Sequence, residues 1–407
     1  MRRRASSALF YGRKPLFFHF FVLRSKFLHE NCYFCARNMA GLYVHIPFCK
    51  SRCIYCDFYS TTREAEKEAY VTALCREIAA RKQESAHTRV RTIYIGGGTP
   101  SLLSSEQLNR ILSKLHEEYD VAEDAEVTVE MNPEDIDAPR IWGGSINRVS
   151  LGIQTFDEGL LRFLRRRHSA ERAVEAVRNL QQAGIRNISI DLIYGLPGQT
   201  MEMWERDLDK AFELGVQHLS AYALSYEEGT PLWQMRQLGK VKETSEILSV
   251  KMFELLCQRA KEAGFPHYEI SNFAQPGRES RHNSSYWTGE PYLGFGPGAH
   301  SYDGRRTRRA NNADLSAYLQ AKVAPATFET LTDEELYDEA VMCGLRTARG
   351  IDLSEVERRF GQQRSGYLQQ MAHPHIEAGR LVVKEGWLHL SEDALMVSDD
   401  IMSDLML

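Results

Sequence analysis

The sequence predicts an α/β protein, a partial (β/α)6 barrel followed by a small winged-helix-like module at the C-terminus. Three observations predict it. Short β-branched runs alternate with longer amphipathic segments from Leu42 to about Ala274, the residues richest in chemistry fall just after those runs, and the pattern changes beyond Ala274.

The runs are residues 42–46, 92–95, 126–131, 148–153, 187–193 and 218–222, with 267–270 as a candidate seventh. Between them, residues 64–84, 105–119, 170–183, 201–214 and 244–263 carry apolar side chains at helical spacing. Strand, helix and strand in regular order imply right-handed βαβ units, and therefore parallel strands. Gly96 to Pro100, Glu130 to Pro133, Gln154, Asp191 to Pro197 and Tyr222 then all follow strands. In a parallel barrel those positions open onto one face, where the βα loops build the site.

Residues 278–309 are rich in Gly, Pro, Asn and Tyr and read as loop. Helical patterns return at 332–347, 353–360 and 366–378, and two short strands flank Gly386, which suggests the winged-helix-like module. The expected organisation is a basic extension at 1–38, a core at 39–275, a loop-rich connection at 276–330 and a helical, winged domain at 331–407.

A net charge of -5 over 407 residues gives no overall basic field, and the last residues are acidic (Glu392, Asp393, Asp399, Asp400, Asp404), so no nucleic acid is expected as a partner. The extension differs: Arg2, Arg3, Arg4, Arg13, Lys14, Arg24, Lys26 and Arg37 face a single acid, Glu30. It reads either as an organellar transit peptide, which would place the protein in the mitochondrion, or as untranslated sequence ahead of a start at Met39, which leaves it cytoplasmic. Its apolar run at 16–23 is too short to span a membrane.

Five of the eight cysteines lie between positions 32 and 56. Such clustering in a chain this long signals metal binding in a reducing compartment; Cys75, Cys257 and Cys343 stand singly in helical patterns, as small buried hydrophobes do. Cys49, Cys53 and Cys56 follow directly on the first strand, spaced to hold three corners of a [4Fe–4S] cluster and to leave the fourth iron for an external chelate. The alternative is a zinc ribbon joining Cys32-x-x-Cys35 to Cys53-x-x-Cys56, which would make the chain a zinc-stabilised interaction module and would leave Cys49 unexplained.

Three motifs carry a family resemblance over nearly everything beyond Met39: Tyr43-x-His45-Ile-Pro47-Phe-Cys49-x3-Cys53-x-Tyr55-Cys56, Gly96-Gly-Gly-Thr99-Pro100, and Asp191-Leu-Ile-Tyr194-Gly195-Leu-Pro197-Gly198-Gln199-Thr200. The chain resembles the radical S-adenosylmethionine proteins, specifically the HemW and HemN group of coproporphyrinogen-oxidase-like proteins. The resemblance implies that the cluster cysteines hold iron and that S-adenosylmethionine binds at the open iron. Gly97, Gly98 and Thr99 would face its amino end, with Glu130 on its polar groups. Gln154, Arg166 and Asp191 match positions that contact a second S-adenosylmethionine in the oxidase branch. Tyr43, Tyr55, Ala223 and His300 match its remaining contacts, although that branch carries an aliphatic residue in place of His300. Taken from the residues alone, the glycines also suit an unliganded turn, and Glu130 a solvated strand end.

Two features separate the branches. The oxidase carries a further cysteine two residues beyond the third ligand, where this chain has Phe58. His282-Asn283-Ser284-Ser285-Tyr286-Trp287 matches the His-Asn-x-x-Tyr motif of the branch that resembles heme chaperones. An imidazole there can ligate heme iron, and Tyr286 and Trp287 offer flat apolar surface. An ordinary loop with packed aromatics is the alternative. The chaperone reading implies heme as ligand, with Asn283 in the motif. It also implies heme-acceptor proteins, membrane-bound respiratory proteins among them, a small electron donor such as a flavodoxin or ferredoxin, and a second copy of the chain as partners. The rival is oxygen-independent coproporphyrinogen III oxidase, which Phe58 argues against.

Overall fold

The computed structural model describes residues 41–85, 89–136 and 145–407. The basic extension, with Cys32 and Cys35, lies outside the described residues. Six strands, β1 (Gly41–Ile46), β2 (Val90–Gly97), β3 (Val121–Met131), β4 (Arg148–Gln154), β5 (Ile188–Tyr194) and β6 (His218–Ala223), pair side by side in sequence order, all parallel. Helices α1 (Lys67–Ala80), α2 (Ser105–Glu118), α3 (Glu158–Phe163), α4 (Ala170–Gln182), α5 (Met201–Glu213), α6 (Pro231–Gln237) and α7 (Glu246–Glu262) make the crossovers and the helices after β6. Several begin on a side-chain cap: Ser104, Ser169, Thr200 and Ser245 each accept a backbone N–H of the first turn.

Alternation along the strands decides what lies where. Val127, Val129, Val149, Leu151, Ile188 and Ile190 are buried in the main apolar core with Ala173, Ala176, Val177 and Leu180 of α4. The intervening residues Thr128, Glu130, Arg148, Ser150, Ser189 and Asp191 take the opposite face, so the bore of the barrel is polar.

Two readings are corrected beyond β6. The seventh run gives only β7 (His267–Glu269), which pairs antiparallel with β8 (Asn272–Ala274) at the edge of the sheet; β8, also antiparallel, is the neighbour of β6. The stretch read as loop-rich is ordered structure. It holds α8 (Arg281–Trp287), β9 (Tyr292–Phe295), β10 (His300–Tyr302), β11 (Thr307–Asn311), α9 (Leu315–Gln320) and β12 (Ala326–Thr330). Strands of three to five residues separated by Gly, Pro and Asn are too short to display a period of two. Strand β9 pairs parallel with β1, and β10, β11 and β12 extend the sheet antiparallel from it.

A buried ion pair on α1 fastens this extension. Arg81 donates to Gly294 O (2.6 Å) and Ser301 Oγ (3.1 Å), while Glu77 accepts from Gly296 N (2.9 Å), Asn311 Nδ2 (2.8 Å) and Tyr318 OH (2.7 Å). With its lone pairs satisfied, the pair escapes the penalty of an uncompensated buried charge.

The C-terminal module has its own apolar core around Tyr337, Val341, Leu368, Leu388 and Ile401. It comprises α10 (Asp333–Leu345), β13 (Ile351–Asp352), α11 (Leu353–Glu377), β14 (Leu381–Lys384), β15 (Trp387–Leu390) and α12 (Ser398–Leu405), with the short strands ordered β13-β15-β14. Gly361, at φ 83°, breaks α11 where the sequence suggested two helices. Glu385 (φ 53°) and Gly386 (φ 83°) make the two-residue hairpin turn. Among the described residues no helix is long and apolar enough to cross a membrane.

Candidate functional site

The loop after β1 is drawn onto the sheet at both ends. Cys49 N donates to Thr61 O (2.9 Å) and Thr61 N to Pro47 O (2.7 Å), so residues 47–61 form a closed loop above the strand ends. On it Cys49, Cys53 and Cys56 are free, half-buried thiols. Burial raises the Cys49 thiol above its usual range, against hydrogen bonds from Thr99 and Ser60; it also raises Cys56, to about 12. Negative charge on one thiol raises the next: Cys53 acts on Cys49, and Cys53 and Cys49 act on Cys56. Three soft ligands that share one half-buried loop are a donor set that a polynuclear cation would hold as thiolates. Among the described residues no three His, Cys, Asp or Glu side chains converge closely enough for a single metal ion. Three half-buried thiols on one closed loop are nonetheless a donor set whose chemistry fits a [4Fe–4S] cluster.

The strand after the loop explains its glycines. Gly98 N donates to Ile46 O (2.8 Å), and a Cβ at Gly98 would lie 2.7 Å from Phe48 O, 2.9 Å from Ile46 O and 3.0 Å from Cys49 Sγ. Gly97 sits at φ +108°, and a Cβ there would lie 2.6 Å from His45 Nδ1. Only glycine lets β2 pass this close beneath the cysteine loop. Gly97 N donates to Glu130 Oε2 (3.0 Å) and Thr99 Oγ1 to Cys49 Sγ (3.5 Å).

Glu130 also accepts from Tyr94 OH (2.7 Å), so the carboxylate is held inside the mouth of the barrel. Burial outweighs both hydrogen bonds and lifts its pKa to about 7, with the negative charge of Asp191 adding to the rise. Glu130 is thus a bonded, partly buried carboxylate rather than a freely solvated strand end. Asp191, likewise raised by burial, accepts from Ser150 Oγ (3.2 Å). Neither acid has an ion-pair partner among the described residues, and the positive groups of Arg148 and, for Asp191, Arg166 offset burial only in part.

Arg166 ties the loop to the barrel. Its guanidinium donates to Cys53 Sγ (3.5 Å), Asn132 Oδ1 (2.7 Å) and Gly152 O (2.6 Å). Gln154 stands at φ 73°, where the register of β4 shifts against β5. A Cβ at Gly152 would lie 2.9 Å from the Gln154 amide and 3.5 Å from Arg166 Nη2, which places both side chains at one spot. Tyr55, whose hydroxyl is raised by burial, packs with Leu160, Leu164, Ile193 and Leu196 and feels the Arg166 charge. Tyr43 bonds His45 Nδ1 (3.1 Å), whose Nε2 reaches Tyr59 O (2.8 Å). Ala223 ends β6 exposed. His300, on β10, is close enough to His45 to lower its pKa further, below the effect of burial.

The structure departs from the expected environment of the His-Asn-x-x-Tyr segment. It is helix α8, capped by Ser280 Oγ on Asn283 N (3.3 Å), and not a loop. His282 is 1% exposed. Its Nδ1 meets Thr92 Oγ1 (2.8 Å) and its Nε2 meets Tyr286 OH (2.8 Å). Burial drives its pKa down to about 3. Both ring nitrogens of His282 are thus bonded within the protein; the loop reading of the segment is corrected to a helix, because a seven-residue helix opened by Ser and rich in Asn and Ser carries too little periodicity to be told from a loop.

Four residues of the site went unsingled in the sequence. Asn132 joins Thr99 (3.2 Å) to Arg166. Tyr94 spans Glu130 and His282. Glu126 accepts both Arg281 N and His282 N at 3.0 Å, and Arg148 lies in the bore. Their signal was the alternation along each strand, which marks Tyr94 and Glu126 on the side of Gly96 and Glu130.

Comparison with known proteins agrees with this arrangement. Residues 43–211 match the model of the radical SAM superfamily, and residues 331–397 that of the HemN C-terminal domain. A heme chaperone HemW from Lactococcus lactis is 38% identical over 324 residues, covering 78% of this chain and 84% of that protein. One from Bacillus subtilis is 32% identical, covering 89% and 98%. The mitochondrial radical S-adenosyl methionine domain-containing protein 1 of Danio rerio is 30% identical, covering 90% and 87%. Coproporphyrinogen III oxidase (HemN) from Escherichia coli, a radical SAM enzyme, superposes with a TM-score of 0.79 over 91% of this chain and 90% of its own, at 24% identity, and so shares the fold.

Proposed function

The chain belongs to the HemW family of radical S-adenosylmethionine proteins, and on that premise we propose that it is a heme chaperone, which binds a [4Fe–4S] cluster, S-adenosylmethionine and heme and hands heme to acceptor proteins. The observation that carries this reading is the pairing of three free thiols at the barrel mouth with an exposed Phe58 where the oxidase branch has a cysteine. The relatives are heme chaperones, which supplies heme as the cargo.

When bound, the cluster supplies an electron-transfer centre with one open iron. Cys49, Cys53 and Cys56 would hold it, with Thr99 and Arg166 donating to two of their sulfurs. Glu130 and Asp191 would receive the positive groups of S-adenosylmethionine, and the glycines at 97 and 98 keep side chains out of its path. Tyr43, Tyr55, Gln154, Ala223 and His300 line its remaining approaches. His282, Asn283 and Tyr286 form the heme motif, and ligation of iron by His282 requires α8 to give up its bonds to Thr92 or Tyr286. A flavodoxin or ferredoxin is the proposed electron donor, and a homodimer the proposed assembly. The compartment is cytoplasmic if translation starts at Met39 and mitochondrial if the extension is a transit peptide.

The test is anaerobic reconstitution with iron, sulfide and hemin. Iron with acid-labile sulfide, a defined Soret band, and heme transfer to an apo-acceptor support the reading. Anaerobic conversion of coproporphyrinogen to protoporphyrinogen would return the chain to the oxidase branch, and zinc without sulfide would make it an interaction module.

A further inference from the structure

The bore of the barrel contains a cation that makes no ion pair among the described residues. Arg148, on β4, is 1% exposed, yet its Nε has no hydrogen-bond partner, and among the described residues it forms no ion pair. Its neighbour in register on β3, Thr128, is 0% exposed and its hydroxyl is also unbonded. Two orphaned donors therefore stand side by side on the inward face, in a structure where buried polar groups are otherwise largely satisfied. The position is central: the Arg148 charge is felt by Tyr94, Glu130, Asp191, His218 and His282, which lie on five other elements. An arginine buried this fully without a carboxylate is costly, and the cost falls if an anion completes it. Small side chains share that face: Ser150 and Ser189 lie beyond Arg148 in the sheet, and their hydroxyls turn to Asp191 and His218.

We infer that Arg148 and Thr128 form a carboxylate-binding subsite inside the barrel. A guanidinium donates two parallel N–H bonds to a planar carboxylate, and the adjacent hydroxyl supplies a third donor. The inward acids Glu130 and Asp191, nearer the mouth, disfavour a free dianion and favour a single carboxylate attached to a larger neutral or cationic body. That carboxylate belongs either to a small organic acid or to the propionate arm of the tetrapyrrole, and the second source rests on the heme reading above. The site shares its layer of the barrel with His282, so a ligand arm on Arg148 would lie beside the motif histidine.

The experiment uses the full chain with its cluster reconstituted and three probes: 13C-formate followed by NMR, hemin, and hemin dimethyl ester, which lacks free carboxylates. The expected result is saturable formate binding, and hemin bound about tenfold or more tighter than its ester, with that ratio falling to about one in Arg148→Met. Thr128→Val, nearly isosteric, should weaken formate severalfold, and it serves with Arg148→Lys if Arg148→Met does not fold. Formate binding lost in the variants while hemin and ester bind alike supports the subsite with a small acid as its source. Formate binding without any hemin binding upholds the subsite and removes the heme reading. Equal hemin and ester affinity together with no saturable formate binding, or formate binding unchanged in Arg148→Met, overturns the proposal.

Discussion

The phenol ring of Tyr94 lies against the imidazole of His282, centroids 5.1 Å apart and planes 25° from parallel, while its hydroxyl donates to Glu130 at 2.7 Å. One side chain therefore touches both the motif helix and the acid at the barrel mouth. Tyr94→Phe keeps the stacking and removes the hydroxyl. It is expected to leave Soret intensity unchanged and to raise the pKa of Glu130 further, seen as a shift to higher pH in the pH profile of S-adenosylmethionine binding. A profile unmoved by the substitution would show that the hydroxyl does not act on Glu130.

Glu130 makes stability pH-dependent. Its folded pKa, raised by burial to about 7, lies above the unfolded value of about 4.3, so the folded state binds the proton more tightly. Its contribution is fully present below the unfolded pKa and is lost as pH rises through about 7. Glu130→Gln removes this dependence. In cluster-free protein, the variant should gain on wild type between pH 5 and pH 8, by an amount on the order of 2 kcal/mol in denaturant titrations.

Gly98 has room for no side chain. Gly98→Ala would set a methyl 2.7 Å from Phe48 O and against Cys49 Sγ, both fixed by the closed cysteine loop. The expected outcome is a folded protein about 1–3 kcal/mol less stable that takes up markedly less iron and sulfide on reconstitution. Full cluster loading in Gly98→Ala would show that the loop relaxes freely.

Cys49→Ser should abolish the broad visible absorption of the reconstituted cluster, because a serine oxygen is a poor match for iron that prefers soft thiolate ligands. Cys75→Ser, half-buried on α1 beside α2, should leave that absorption intact. Equal loss in both variants would point to general misfolding.

His282→Ala removes a buried imidazole together with the partners of Thr92 and Tyr286, and should cost about 2–4 kcal/mol. Tyr286→Phe deletes one hydrogen bond and frees Nε2, at about 1–2 kcal/mol. If His282 ligates heme after leaving Tyr286, hemin should bind Tyr286→Phe at least as tightly as wild type, whereas His282→Ala weakens the Soret band. Identical stoichiometry and affinity in both variants would remove the motif from heme binding.

The parallel strands were legible because each contains a short run rich in apolar residues, set off from the next by a segment of helical spacing. The cysteine loop and the glycines were legible for a different reason: spacing and conformational demand are local, so they survive in one dimension. Strand β9 was not. Four residues give no period, and its place beside β1 depends on the Glu77–Arg81 pair, more than two hundred residues earlier. Arg148 and Tyr94 were hidden as well, since alternation assigns a side chain to a face but does not say that this face encloses a polar bore. The motif His282 could be read, while its two bonded nitrogens could not, because Thr92 comes from a strand 190 residues away.

Strand β3 carries Glu126 at one end of the bore, gripping the first amides of α8, and Glu130 at the other, beneath the cysteine loop. Four residues of extended chain separate them, about 13 Å. Floor and mouth are thus fixed to opposite ends of a single rigid rod, and one residue inserted between them would turn one of the two carboxylates out of the bore.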